Sequence, residues 1–255
     1  MPYSKFRNNL VRLLPQDDLD AIAPYMELVP IRLKQRLLTP KAPIDYVYFP
    51  ESGLVSIIAE PQHSHPIEVG HIGREGMTNF VAVNGASASP LLALVQIAGS
   101  AWRIDSAQFA VALSQRPTLT NLVMRFHQTF IIQLSYTALS HGRENTEARL
   151  CHWLLMCHDR MDGNELPLVH DFLSMMLAIR RPSVTIALQR LVAKGAIKAA
   201  RGRISILDRS LMEQLAGSVY GMPEQYYREM MGVDIWALRR AESTEDDQGD
   251  ELVAQ

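Results

Sequence analysis

The sequence predicts an α+β fold in three parts: an N-terminal β-sandwich or roll, a long helix, and a C-terminal unit of two short helices and a hairpin. Three observations predict it. Short β-prone runs fill residues 29–105, a long helical pattern follows Pro117, and residues 166–208 carry two helical patterns and a basic hairpin. Strands in one part of a chain and helices in another are typical of α+β proteins.

The first part, residues 1–116, joins helices to a β-rich region. Residues 4–27 place apolar side chains at helical spacing on both sides of Pro15. Short β-prone runs separated by turn residues then indicate a sandwich or a roll. The runs are 46–49, 54–58, 67–69, 91–97 and 102–104. Glycines at 70, 73 and 76 predict a sharp turn within this region.

The second part, residues 117–141, is predicted to be one long helix. Its apolar side chains recur every three or four residues and include Leu119, Leu122, Val123, Phe126, Phe130, Leu134 and Ala138. The pattern is longer than one small core needs, and apolar residues also widen it to a second side. Such a helix often packs on its own domain and on a second copy, so we predict a dimerisation helix; a helix that only caps its domain is the alternative.

The third part, residues 142–220, has the strongest local signals. Phe172, Leu173, Met176 and Leu177 give one helix an apolar face, and a second helix carries Val184, Leu188 and Leu191. Residues 178–181 are too few for anything but a tight connection. Pro182 suits the first position of the second helix, and Gly195 is expected to end it.

A hairpin is predicted after these helices, since residues 197–199 and 204–206 can pair across Arg201-Gly202. From Glu165 to Arg209 there are eight Lys and Arg against three Asp and Glu, a charge of +5 in a chain of −2. This order of elements and this charge are typical of a winged helix-turn-helix bound to double-stranded DNA. The predicted DNA-contacting residues are Arg180, Arg181, Ser183, Thr185, Gln189, Arg190, Arg201 and Arg203. A solvated helical hairpin in another fold is the alternative.

Composition fits an intracellular regulator. The chain has 255 residues, 47% of them hydrophobic and 20% charged, with no apolar run long enough for a membrane span and no signal peptide pattern at its start. Cys151 and Cys157 point to different sides of a predicted helix, and two cysteines cannot supply the four thiolates of a usual iron–sulfur cluster. We expect a cytoplasmic protein with no cofactor and no metal. No catalytic constellation stands out, so we expect no enzyme.

A metal site is the main alternative within the β-rich region. His63 and His65 would share one face of a strand, and Glu68 could add a carboxylate. The pattern is similar to the first metal motif of cupin enzymes, but the Glu is one residue too close and the second motif is missing. His152 and His158 are expected to be surface or core residues. His71, beside the glycine-rich turn, is expected to be a turn residue, with a pH or ligand contact as the alternative.

The layout resembles the Crp/Fnr superfamily of bacterial transcription regulators over about residues 8–220. The segments that carry the resemblance are YFPESGLVS (48–56), VGHIGREGM (69–77), RLCHWLL (149–155) and the stretch 177–208. The resemblance implies a β-roll of the double-stranded β-helix, cyclic-nucleotide-binding-like type and a dimeric, sequence-specific DNA-binding transcription regulator. It also implies that Arg181 reads guanine and that Ser183 touches the DNA backbone. Pro182 and Ile186 stand where the cyclic-AMP receptor has a glutamate and a base-reading arginine, so the preferred operator should differ.

The resemblance is weaker on the ligand side. Family members that bind cyclic nucleotides use a Gly-Glu pair for the ribose and an Arg-Ser pair for the phosphate. Gly73, Glu75 and Gly76 match the first pair with an insertion and are the candidate ligand-pocket residues. No Arg or Lys lies between Glu75 and Trp102, so a buried cyclic phosphate would have no cation to pair with. We expect no response to cyclic AMP in the usual mode. The domain either senses an unknown small-molecule effector or is purely structural. RNA polymerase would be a partner if the protein is an activator.

Two further expectations complete the domain organisation. Residues 221–255 form a C-terminal extension, and its end, from Ala241 on, has six acidic residues and no basic one, which predicts a disordered tail. A hinge between the long helix and the DNA-binding unit is expected near residues 140–142. The alternative function for the whole chain is a cupin-like metal-binding enzyme or metal sensor.

Overall fold

The computed structural model describes residues 5–60, 66–80, 83, 85–168, 170–177 and 179–235. The chain begins with two short helices, α1 (Asn9–Arg12) and α2 (Gln16–Ile22), followed by a 3-10 turn at Ala23–Tyr25. The Asn8 side chain accepts a hydrogen bond from the backbone N–H of Val11 and so caps α1. Pro15 separates the two helices, as the sequence predicts.

Seven strands then form two antiparallel sheets packed face to face. They are β1 (Glu27–Ile31), β2 (Arg36–Leu38), β3 (Tyr46–Pro50), β4 (Leu54–Ala59), β5 (Ile67–Ile72), β6 (Leu91–Ile97) and β7 (Gly99–Asp105). One sheet has the order β1-β7-β3 and the other β2-β6-β4-β5. Because β6 and β7 are consecutive in the chain but lie in different sheets, the chain rolls from one layer to the other. The predicted roll is therefore confirmed.

Three helices follow the roll. They are α3 (Ser106–Gln115), α4 (Pro117–Arg143) and α5 (Thr146–Arg160). The side chain of Asp105 caps α3 and that of Asn145 caps α5. Residues 140–142, near which a hinge is predicted, lie in the last turn of α4, and the helix is interrupted two residues later at Glu144 and Asn145.

The C-terminal unit has the predicted order with one extra strand. Its elements are β8 (Glu165–Leu166), α6 (His170–Met176), α7 (Arg181–Ala193), β9 (Ile197–Ala200), β10 (Arg203–Ile206) and α8 (Arg209–Ala216). The sheet order is β8-β10-β9, so β8 pairs with the predicted hairpin. Pro182 lies in the first turn of α7, one residue later than predicted, because α7 begins at Arg181.

Two apolar clusters hold these parts together. The first joins both sheets to α1–α4, and the second is built from α5–α8 and the hairpin. Leu54, Ile58, Leu92 and Ile97 of the roll belong to the second cluster, so the C-terminal unit packs against the roll. None of the described helices combines the length and the hydropathy that crossing a bilayer requires.

The C-terminal extension contributes a further helix, α9 (Met222–Met231). This helix packs along α4, and Tyr227, Met231 and Ile235 join the apolar cluster of the roll. The predicted acidic tail lies outside the described residues.

Candidate nucleic-acid interface

Helix α7 is amphipathic in the way a DNA-reading helix requires. Val184, Ala187, Leu188 and Leu191 are buried, and the helix packs on α5, α6 and β9. Gly195 has a φ of 73°, a left-handed conformation that favours glycine and that turns the chain into β9. One side of α7 is therefore fixed by packing, and the other faces away from the protein.

The exposed side of α7 carries most of the predicted DNA-contacting residues. Arg180, Arg181, Thr185, Gln189 and Arg190 are exposed, and Ser183 is half-buried. Thr185 Oγ1 donates a hydrogen bond to the backbone oxygen of Arg181 at 3.2 Å. An open groove separates this side of α7 from the first turn of α5 and is lined by Asn145, Thr146, Ser183, Ile186 and Arg190, among others.

The hairpin β9–β10 presents two arginines beside α7. Arg203 pairs with Ala200 across the hairpin, and Gly202 at the turn has a φ of 73°. Arg201 and Arg203 are exposed, whereas Ile204 is fully buried and anchors β10. Arg203 Nη1 donates to Glu165 Oε2 at 3.0 Å, but both side chains are more than half exposed. Exposed ion pairs contribute little, so Arg203 can exchange this carboxylate for a phosphate at small cost.

Polar contacts from α5 hold the C-terminal ends of α6 and α7. Arg149 donates to the backbone oxygen of Leu177 at the end of α6, and Lys194 at the end of α7 pairs with Glu147. At the other end of α5, Asp159 is fully buried and accepts hydrogen bonds from Arg209 and Tyr220. Sequence reasoning missed this support because its partners are up to 61 residues apart.

The candidate ligand-pocket residues come together, but side chains of the protein itself occupy the space beside them. Glu75 Oε1 accepts from Arg160 Nε at 2.7 Å, and Glu75 Oε2 accepts from the Gly73 N–H at 3.0 Å. Tyr227 Oη of α9 donates to the backbone oxygen of Glu75 at 2.7 Å. The Phe126 ring of α4 lies so close to Gly76 that a Cβ there would be 2.0 Å from the ring. The cavity between these residues has room for about one water molecule.

The prediction for His71 is wrong. His71 lies on β5 and is fully buried, because β5 continues to Ile72 and carries it under α5. Its Nδ1 is 3.3 Å from Glu68 Oε1, and the same oxygen accepts a hydrogen bond from Trp153 Nε1 at 2.6 Å. Glu68 therefore links the roll to α5.

Glu68, the carboxylate of the metal alternative, is buried and makes these contacts through its Oε1 atom. His63 and His65 lie outside the described residues. Within the part of the chain that the structure describes, no three His, Cys, Asp or Glu side chains converge as a metal site requires. His152 and His158 are both buried core residues, one of the two outcomes that the sequence left open.

The chain is similar to known regulators in two ways. Residues 148–215 match the Crp-like helix-turn-helix domain. Among solved structures, FixK2 from Bradyrhizobium japonicum is similar, with a TM-score of 0.66 and 15% identity over 76% of this chain and 98% of that one. A CRP-family transcriptional regulator from Thermus thermophilus is similar, with a TM-score of 0.62 and 18% identity over 74% and 97%. No curated protein matches the chain.

A third structure has the same fold and a named ligand response. The c-di-GMP responsive global regulator CLP from Xanthomonas campestris has a TM-score of 0.60 and 15% identity over 76% of this chain and all of that one. Identities this low show a shared fold. The chain thus has the fold of Crp/Fnr regulators, with an N-terminal sheet domain and a Crp-like helix-turn-helix at its C-terminal end.

Proposed function

We propose that this chain, with its Crp-like helix-turn-helix behind a roll of the Crp/Fnr type, is a dimeric, sequence-specific DNA-binding transcription regulator. The observation that carries the proposal is the exposed side of α7, which presents arginines at its start beside the two arginines of the hairpin. Phosphates require such a concentration of positive charge, and base edges require an exposed helix. We expect such a regulator to bind its DNA in the bacterial cytoplasm and not to act as an enzyme.

Each candidate residue has a role under this proposal. Arg181, at the start of α7, reads guanine through its O6 and N7 acceptors, a contact that discriminates by about 1–3 kcal/mol. Arg201 and Arg203 bind phosphate and position the unit on the duplex. The remaining candidates contact the DNA backbone or base edges from α7: Arg180, Ser183, Thr185, Gln189 and Arg190.

A second copy is the partner that the free side of α4 fits. Met124 and Ile131 are 45% and 41% exposed, and with exposed Ala138 they recur every seven residues. Apolar residues that recur in a heptad repeat line the seam along which two helices pack. The dimer would set two copies of α7 about 34 Å apart, so the operator would be an inverted repeat of one helical turn.

Regulation by a small molecule would involve the contact between the roll and α5. An effector at Gly73, Glu75 and Gly76 would have to displace Arg160 from Glu75 and so would change how the DNA-binding unit sits on the roll. The full use of this space by side chains supports the view that cyclic AMP does not bind here in the usual mode. RNA polymerase is a further partner if the protein activates transcription.

The test is selection of duplexes from a random library with the purified full chain, followed by mobility shifts on the selected operator. Arg181→Ala should weaken binding and relax the preference at one base pair. Arg201→Ala should weaken binding on all sequences and reduce the slope of log K against log salt by about 1. Arg12→Ala, an exposed arginine on α1, is the matched control. Failure to enrich any duplex, or equal losses by Arg181→Ala on operator and random DNA, would overturn the proposal.

Dimerisation has its own test. Ile131→Glu should convert the protein to a monomer in analytical ultracentrifugation, since a charge in the seam cannot pair with an identical charge opposite it. Gln108→Glu, at an exposed position of α3, is the control for charge alone. A wild-type chain that sediments as a monomer at all concentrations would contradict the dimer.

A further inference from the structure

The outward side of α7 contains an exposed branched apolar side chain among polar ones. Ile186 is 50% exposed. At 100° per residue, Pro182, Ile186, Gln189 and Ala193 lie opposite the buried stripe of α7. Ile186 is therefore at the centre of the surface that would enter a groove, where its neighbours toward the start of the helix are arginine, serine and threonine.

The chemistry of base edges limits what an isoleucine can face there. In the major groove, guanine, adenine and cytosine present hydrogen-bond donors or acceptors, and thymine adds a methyl group at C5. Isoleucine has no group to pair with a donor or acceptor, so covering one would leave it desolvated and unsatisfied. Contact with a methyl group removes apolar surface from water on both sides.

We propose that Ile186 contacts the C5 methyl group of a thymine, so that α7 reads an A·T base pair in addition to the guanine read by Arg181. The inference rests on the proposed function and names one base of its operator. Ile186 follows Arg181 by five residues, or about 7.5 Å along the helix, so the thymine lies within about two base pairs of the guanine.

The surroundings favour DNA over a protein as the occupant of this surface. Arg180, Arg181 and Arg190 are exposed around Ile186, and the unit from Glu165 to Arg209 carries +5. A polyanion complements this charge. The roll packs on the other side of the unit through Leu54, Ile58 and neighbouring residues, so it leaves the surface around Ile186 open.

The experiment replaces thymines of the selected operator one at a time with uracil, which lacks only the methyl group. At one thymine per half-site, uracil should weaken binding of the wild-type chain about fourfold, the value of one buried methyl-sized group. Ile186→Ala should bind the thymine and uracil duplexes equally. Val192→Ala, an apolar position 45% exposed on the same helix but outside the outward line, should keep the fourfold difference.

The outcomes separate the two proposals. If no duplex is selected, the proposed function fails. Suppose that an operator is bound and that Arg181→Ala relaxes its preference. If Ile186→Ala then distinguishes thymine from uracil at every position as strongly as the wild type does, only the inference about Ile186 fails. This includes the case in which Ile186→Ala binds both duplexes more weakly by the same factor and so keeps the fourfold difference. Unchanged melting temperatures of the variants show that folding is intact.

Discussion

Replacing Glu75 with Gln is expected to destabilise the protein strongly, because it leaves a buried guanidinium without its main partner. Glu75 Oε1 and Arg160 Nε are 2.7 Å apart, and each side chain is 3% exposed. Burial by itself lowers the pKa of Arg160, but the carboxylates of Glu75, Asp159 and Glu224 outweigh burial and raise it. Arg160 therefore stays charged and cannot escape the loss by releasing its proton.

The magnitude follows from the burial of the pair. Removing one partner of a buried ion pair typically costs about 3–5 kcal/mol. Asp159 and Glu224 still act on Arg160, so we expect the lower end, about 3 kcal/mol. For a chain of this size, each kcal/mol shifts the melting temperature by about 2–4 °C, which gives a loss of about 6–12 °C.

The assay is urea and thermal unfolding, followed by circular dichroism and by the fluorescence of the tryptophans. Glu27→Gln is the matched control, since Glu27 pairs with Arg103 at 2.7 Å but both side chains are more exposed. That variant should lose less than about 1 kcal/mol. The reasoning is refuted if the two variants lose the same free energy of unfolding. Limited proteolysis at residues 144–145 should also become faster in Glu75→Gln, because the pair joins the roll to α5.

Three further predictions concern buried groups. Burial lowers the pKa of His152 to about 3, below its unfolded value near 6.5, so the unfolded chain binds one more proton in that window. This group should therefore lower the free energy of unfolding by about 1.4 kcal/mol for each pH unit below 6.5. Urea unfolding at a series of pH values should give a shallower dependence of this free energy on pH for His152→Phe than for the wild type. The same dependence in both proteins would contradict the prediction. Burial raises the pKa of Cys151 to about 12 and that of Cys157 well above its usual value. A thiol reagent at pH 8 should therefore modify both cysteines only after unfolding in urea. Modification of the folded protein as fast as that of the unfolded protein would contradict their burial. Gly76→Ala should cost about 1–3 kcal/mol in urea unfolding because its Cβ overlaps the Phe126 ring, and an unchanged midpoint would show that the ring moves freely.

The DNA-binding unit could be predicted from the sequence because its signals are local. Pro182 permits a helix start, Gly195 has the positive φ that ends α7, and Gly202 has the positive φ of the hairpin turn. Each of these residues acts on its own backbone or on neighbours within one turn. The outward position of Ile186 also follows from helical spacing alone.

The support of that unit could not be predicted, because it depends on contacts between distant segments. β8 is only two residues long, and its pairing with Ile204 of β10 is visible only once both are placed. His71 looked like a turn residue because glycines surround it, yet β5 carries it under α5. In both cases local residue types are compatible with several positions.

The sequence by itself determined the order of roll, long helix, helix-turn-helix and hairpin, the amphipathic faces of α4 and α7, and the concentration of positive charge near the C-terminal end. The tertiary structure alone decided what surrounds Glu75: Arg160 from α5, Phe126 from α4, and Tyr227 from α9, which lies 152 residues further along the chain. The physical reason is that periodicity and turn chemistry act over a few residues, whereas a buried carboxylate must be satisfied by whichever groups packing brings to it.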